Sequence, residues 1–163
     1  FAAVTAEALG QTLAHFRIGP ADAPVADLLA SWRALEPFPE VAAALDRLCD
    51  LPLAILSNGS PAMLAEVLAH ARLDEHFAAV LSVDAARAYK PDPRAYALAP
   101  AALDLPGDQI LFVTANAWDA VGAKAAGFRV AWCNRAGQAF DTHGPAPDLE
   151  VPGLGGVADA LRR

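Results

Sequence analysis

The stretch QILFVTANAWDAVGAKAAGFRVAWC, residues 109–133, decides the fold. Its opening run QILFVT (109–114) and its closing run FRVAWC (128–133) are short, apolar and rich in β-branched and aromatic residues, as strands are. Residues 117–126 between them read as a helix. A strand, a helix and a second strand in this order predict a βαβ unit and hence a parallel sheet.

The alternation continues outward on both sides. Upstream, the spacing predicts a helix over 40–49, a strand over 52–57 (PLAILS), a helix over 61–71, a strand over 79–83 (AVLSV) and a helix over 93–104. Downstream, residues 134–152 are rich in Gly, Pro and Asp and are expected to loop around a short strand near Leu149, before a last helix from about Gly156 to Leu161. The expected class is therefore α/β, a Rossmann-like parallel sheet flanked by helices.

Nearer Phe1 the pattern is purely helical. Phe1, Val4, Ala8, Leu9, Leu13 and Phe16 recur at helical spacing and predict an amphipathic helix over 1–17, stopped by Gly19-Pro20. Asp22 is a candidate N-cap with Pro24 in the first turn, and Val25, Leu28, Leu29, Trp32 and Leu35 carry a second helix to about Ala34. Proline disfavours helical geometry in the residue before it, so Glu36-Pro37-Phe38-Pro39 forces an extended connection. A boundary is expected there, with a helical part over 1–36 and the α/β part over 37–163.

Composition removes several function classes. With 163 residues, 55% of them hydrophobic, the chain can bury one sizeable core, and a net charge of -7 leaves no basic stripe for phosphate backbones. Nucleic acid is not an expected partner. The apolar stretch Ala95–Leu103 is interrupted by Pro100 and falls far short of the ~20 residues that cross a bilayer, and Phe1–Leu13 lacks the pattern of a signal peptide. Cys49 and Cys133 lie far apart in apolar settings and read as free buried thiols of a reducing compartment, which points to the cytoplasm.

Ligands of open α/β sheets bind beyond the carboxyl ends of the strands. Ser57-Asn58-Gly59-Ser60-Pro61 follows one such end and opens a helix, offering hydroxyls, an amide and free backbone N–H groups at a positive helix terminus. Ser60 is expected to cap that helix, and Ser57 and Asn58 to touch a ligand. Lys90 is set between Tyr89 and Pro91-Asp92-Pro93, where the prolines stiffen the backbone that presents it, so a fixed cation beside an anion is expected. Tyr96 reads equally as a packed aromatic and as a hydroxyl reaching the site. Thr114, Asn116, Trp118 and Asp119 gather hydroxyl, amide, indole and carboxylate at one strand tip, more than helix capping alone explains.

LSNGSP at 56–61, YKPDPRAY at 89–96 and FVTANAWDAVGAKAAGF at 112–128 resemble, in order and spacing, motifs II, III and IV of the type II L-2-haloacid dehalogenases of the haloacid dehalogenase superfamily. FAAVTAEAL at 1–9 is similar to that family's helical cap, so the resemblance covers nearly the whole chain. It implies attack of an aspartate on C2 of a 2-haloalkanoate and hydrolysis of the resulting ester. In that scheme Lys90, Thr114, Asn116 and Asp119 are catalytic, Ser57 and Asn58 bind the substrate carboxylate, and Tyr96, Trp118 and Phe1 line the pocket. The superfamily's Mg²⁺-dependent phosphatases carry a carboxylate ligand where this chain has Ala115, so the resemblance implies neither metal nor cofactor. Thr114 and Ala115 depart from the two serines usual in the dehalogenases.

The family's nucleophilic aspartate lies in a DxxGT-type motif on a first, central strand, and its halide-binding arginine follows in the cap. No DxxGT string occurs in residues 1–163. A partial cap and a missing first strand are therefore expected, a segment of roughly 60 residues at average element lengths. The sheet should be open beside strands 52–57 and 109–114, and the chain alone should neither fold well nor turn over substrate. A phosphatase-like member of the superfamily and a catalytically dead anion-binding domain are the alternatives. Homodimerisation through Trp32 or the first helix is a further possibility.

Overall fold

In the computed structural model, which describes residues 1–19, 22–140 and 144–162, the stretch 109–133 forms β3 (Leu111–Thr114), α7 (Ala117–Ala125) and β4 (Arg129–Cys133). β3 and β4 are parallel, with Leu111 opposite Arg129 and Thr114 opposite Trp132. Gly127 ends the helix at φ 91°, a left-handed conformation that glycine adopts without strain, and the Phe128 amide donates to the Ala123 carbonyl at 3.1 Å.

Upstream, β1 (Ala54–Ser57), α4 (Pro61–Ala71) and β2 (Ala79–Ser82) repeat the unit, again parallel. Ser60 caps α4 as expected, its Oγ accepting from the Met63 amide at 3.4 Å with Pro61 at the first helical position. Downstream, β5 (Leu149–Val151) adds to β4, and α8 (Leu154–Leu161) begins two residues earlier than predicted. Gly156 sits inside that helix because a Cβ there would lie 2.8 Å from Val151 Cβ, so the glycine lets α8 close down on β5.

The predicted helix over 93–104 breaks into α5 (Pro93–Tyr96) and α6 (Leu98–Leu103). Pro100 explains the break, since it has no amide proton for the Tyr96 carbonyl and its ring crowds that carbonyl. The predicted helix over 40–49 shortens to α3 (Val41–Asp46), and the turn that follows leaves Cys49 exposed. Of the two thiols expected to be buried, only Cys133 is, and burial pushes its pKa upward.

The strands form two hydrogen-bonded sets, β1-β2 and β3-β4-β5. Among the described residues, nothing pairs with the second edge of β1 or of β3. All of β1 is only half-buried, and Val113 on β3 is 38% exposed. Beneath the strands, Tyr96, Phe112 and Phe128 pack edge-on or tilted with Ala120, Ala123 and Val130, and Leu56 and Leu81 of the first set reach the same cluster. Each such aromatic, fully buried, contributes about 2–3 kcal/mol.

The helical part comprises α1 (Ala2–His15) and α2 (Val25–Ser31). Asp22 does not cap α2, whose N-cap position is Pro24, and Pro20 of the predicted helix stop lies outside the described residues, as do 141–143 of the predicted loop. Arg33 pairs with Glu66 of α4, and Glu36 with His70. Arg135 stacks on Phe38 at 3.7 Å and pairs with Glu40, which fastens the Pro37–Glu40 connection to the turn after β4.

Candidate active site

Asp119 occupies the first turn of α7 and is 2% exposed. Three donors converge on its carboxylate. The Tyr96 hydroxyl donates to Oδ1 at 2.7 Å, while the Lys90 ammonium and the Thr114 hydroxyl donate to Oδ2 at 2.9 and 3.0 Å. A group that only accepts, and from a cation among others, is placed as a carboxylate. The ion pair offsets the several kcal/mol that burying each charge alone would cost.

Lys90 reaches the site from the segment before α5. Its ammonium also donates to the Leu56 carbonyl near the tip of β1, at 3.3 Å, and stands 5.2 Å from the centre of the Phe112 ring. One side chain thus joins the tip of β1 to α7, which follows β3. Two of its three N–H groups have partners among the described residues, and the side chain is among those that line the cavity.

The backbone around these groups is tied down from several sides. Thr114 Oγ1 accepts from the Asn116 amide at 3.2 Å, so Asn116 stands at the helix start with its own side chain free of any capping bond. Its side chain is thereby left to the cavity. The Trp132 indole donates to the Ala115 carbonyl at 3.1 Å from the neighbouring strand. Asn58 Oδ1 accepts from the Lys90 amide at 3.0 Å, and Ser57 Oγ accepts from the Gly59 amide at 3.1 Å. The buried Ser82 hydroxyl donates to the Gly59 carbonyl at 2.7 Å.

A cavity of about 320 Å³ opens at these strand tips. Phe1, Ser57, Asn58, Lys90, Asn116, Trp118 and Asp119 line it, together with Trp32, Leu35, Met63, Leu64 and Val67. Seven of the nine candidate residues are therefore brought to one cavity. Tyr96 and Thr114 do not line it. Tyr96 is 1% exposed with its ring in the core, and it meets the site through Asp119, as Thr114 does. Burial first, then the Asp119 carboxylate, push the Tyr96 phenol far above its usual pKa, so it stays a donor. A larger groove of about 420 Å³ between α1 and α2 has no charged residue on its walls and carries no comparable chemistry.

Sequence spacing did not point to Trp32, Leu35, Ser82 or Trp132 as site residues. Trp32 meets Phe1 edge-on at 6.2 Å and forms with it an apolar wall of the cavity. No local signal separates such a residue from one that packs a helix pair. Among the described residues no group of three or more His, Cys, Asp or Glu is placed to hold a metal ion, and no helix is long and apolar enough to cross a membrane.

Residues 2–127 match the family of haloacid dehalogenase-like hydrolases. Over 159 residues, 96% of this chain and 71% of the other, the sequence is 40% identical to the (S)-2-haloacid dehalogenase H-109 of Pseudomonas putida. It is 43% identical over 161 residues to an (S)-2-haloacid dehalogenase of a Pseudomonas species, strain YL, covering 98% of this chain and 69% of that one. The fold superimposes with a TM-score of 0.91, at 36% identity, on the L-2-haloacid dehalogenase of Xanthobacter autotrophicus solved with chloropropionic acid covalently bound, covering 99% of this chain and 75% of that one.

Proposed function

The chain belongs to the haloacid dehalogenase-like hydrolases, and on that premise we propose that its reaction is the hydrolytic dehalogenation of 2-haloalkanoic acids to 2-hydroxy acids. The observation that carries this reading is the buried Lys90–Asp119 pair at the cavity wall, with an ammonium N–H left over for a second anion. Asp119 cannot be that anion or the attacking group, because both its oxygens are engaged and it is almost wholly buried. The attacking carboxylate is assigned to an aspartate on a further strand seated between β1 and β3, where both edges are open and Lys90 already spans the tips.

In the first step a carboxylate oxygen attacks C2 of the substrate, the new C–O bond forms with inversion, and halide leaves with the bonding pair. Water then adds to the ester carbonyl, releasing the 2-hydroxy acid and restoring the aspartate. Lys90 keeps the nucleophile ionised and oriented, while Asp119, held by Tyr96 and Thr114, fixes Lys90. Ser57, which can still donate through its hydroxyl, and the amides opening α4 receive the substrate carboxylate, with Asn58 fixing the loop onto Lys90. Asn116 is assigned to the hydrolytic water. Residues 1–36 act as part of a cap whose Phe1 and Trp32, with Trp118, enclose the apolar end of the substrate. The Ala115 methyl supplies no ligand oxygen, so the reaction is assigned no metal. The two free thiols support a reducing compartment, the cytoplasm, as its home, and the unburied apolar residues of α1 and α2 support a homodimer through their exposed faces.

The test is chloride release from the two enantiomers of 2-chloropropionate by the full-length protein, with and without EDTA. The (S)-enantiomer should yield chloride and (R)-lactate regardless of chelator, and the 163-residue chain alone should yield none. Chloride from neither enantiomer would end the proposal, and loss of the signal in EDTA would overturn the metal-free mechanism. A second expected result concerns the apolar wall. Trp32→Ala should raise kcat/KM for 2-chlorobutanoate relative to 2-chloropropionate by about tenfold, since the one added methylene accommodated in an apolar pocket is worth about 1–3 kcal/mol. An unchanged ratio would remove Trp32 from the pocket.

A further inference from the structure

Gly122 lies one turn beyond Asp119 on α7, so the two share a helix face. That face looks onto Tyr96 and Pro91. A Cβ built on Gly122 would stand 2.4 Å from the Tyr96 hydroxyl oxygen, 3.0 Å from Tyr96 Cζ and 3.0 Å from Pro91 Cβ. The first distance is not tolerated by real atoms, and the others are already tight.

Neither partner has room to yield. Tyr96 is 1% exposed, and its ring packs edge-on against Phe112 at 5.7 Å and against Phe128 at 6.3 Å. Its hydroxyl is fixed at 2.7 Å from Asp119 Oδ1 and also faces the Asp119 carbonyl at 3.4 Å. A side chain at 122 would therefore push the hydroxyl off Asp119, or push α7 away and carry Asp119 off Lys90. Both outcomes dismantle the same set of bonds. Helix propensity argues the other way, because alanine is the better helix former at an interior position.

We propose that Gly122 is a positioning residue of the reaction: its missing side chain is the space into which the Tyr96 hydroxyl fits to fix Asp119 and, through it, Lys90. The role assigned to Lys90 rests on the dehalogenation reading, whereas the contact between Gly122 and Tyr96 does not, and the experiments separate the two.

In the full-length protein, Gly122→Ala should lower kcat for (S)-2-chloropropionate by about tenfold to a hundredfold, as a misplaced catalytic group does, with KM within about twofold. In a Tyr96→Phe background, which removes the oxygen at 2.4 Å and leaves only the two contacts at 3.0 Å, the same substitution should lower kcat at least about fivefold less than in the parent. An unchanged kcat for the single variant, or an equal loss in both backgrounds, overturns the proposal. If Gly122→Ala does not fold, the double variant should fold, and a double variant equally unfolded overturns it.

A readout independent of turnover uses tyrosinate absorbance. Residues 1–163 hold two tyrosines, so in the full-length protein Tyr89 and any tyrosine outside these residues are replaced by Phe to leave Tyr96 alone. Tyr96 should then resist ionisation strongly, while the added Gly122→Ala should lower its titration midpoint by the part that Asp119 contributes, with burial, the largest cause, still holding it above the ordinary tyrosine range. Identical titrations overturn the proposal. If the unsubstituted protein releases no chloride, the dehalogenation reading fails while this titration still decides the place of Gly122.

Discussion

Lys90→Met should lower kcat for halide release by about a thousandfold or more in the full-length protein, the scale of losing a preorganised charged donor. It should also cost about 3–5 kcal/mol of stability, because methionine fills the space but leaves the Asp119 carboxylate buried without its cation. The Tyr96 and Thr114 hydroxyls still donate to Asp119, which limits the structural damage to the site. Single-turnover chloride release and urea denaturation measure the two effects separately. A variant with near-normal turnover would show that Lys90 does not face the attacking carboxylate. A variant of unchanged stability would show that the pair contributes little to the fold.

Asp119→Asn should lower kcat by about a hundredfold or more while preserving shape. With its oxygen in the Oδ1 place the asparagine accepts from Tyr96 and turns its NH₂ on the Lys90 ammonium, which keeps only the Leu56 carbonyl; with its oxygen in the Oδ2 place it accepts from Lys90 and Thr114 but brings no countercharge. The informative measurement is the double variant, Lys90→Met with Asp119→Asn. Each single change strands one buried charge, whereas the double change strands none, so it should be more stable than the Lys90 variant and far from additive. Additive losses in denaturation would mean that the two residues contribute separately and would remove the pair from the centre of the site.

Much of this arrangement was legible in the sequence because it is local. The apolar runs at 54–57, 79–82, 111–114 and 129–133 alternate with helices, and a parallel α/β fold places their following residues on one edge. Lys90, Asn116 and Asp119 were therefore identifiable as neighbours before their distances were known. Tyr96 was ambiguous for a physical reason, since it is both of the things it could be, a core ring and a hydroxyl on the site.

What stayed hidden depends on tertiary approach. Trp132 holds the turn after β3 through a bond spanning 17 positions, and Ser82 holds the Ser57–Gly59 turn across 23. Indole and hydroxyl alike announce nothing about such partners from sequence. Gly122 reads as a mild defect in a helix until the neighbouring ring is placed against it. The break at Ala97 was within reach, because Pro100 forbids the bond that a continuous helix requires there. Cys49 reads as buried from its apolar setting, but α3 ends at Asp46 and the turn that follows leaves the thiol exposed.

The two open strand edges carry a consequence for how such a protein comes to be active. Under the proposed arrangement, a strand entering between β1 and β3 closes two ladders in a single event, and it brings the attacking carboxylate with it. Pairing on one side alone leaves the other edge open, so the two ladders favour closing together. Maturation of the sheet and arming of the site are then the same step, and no completed sheet exists that is not also armed.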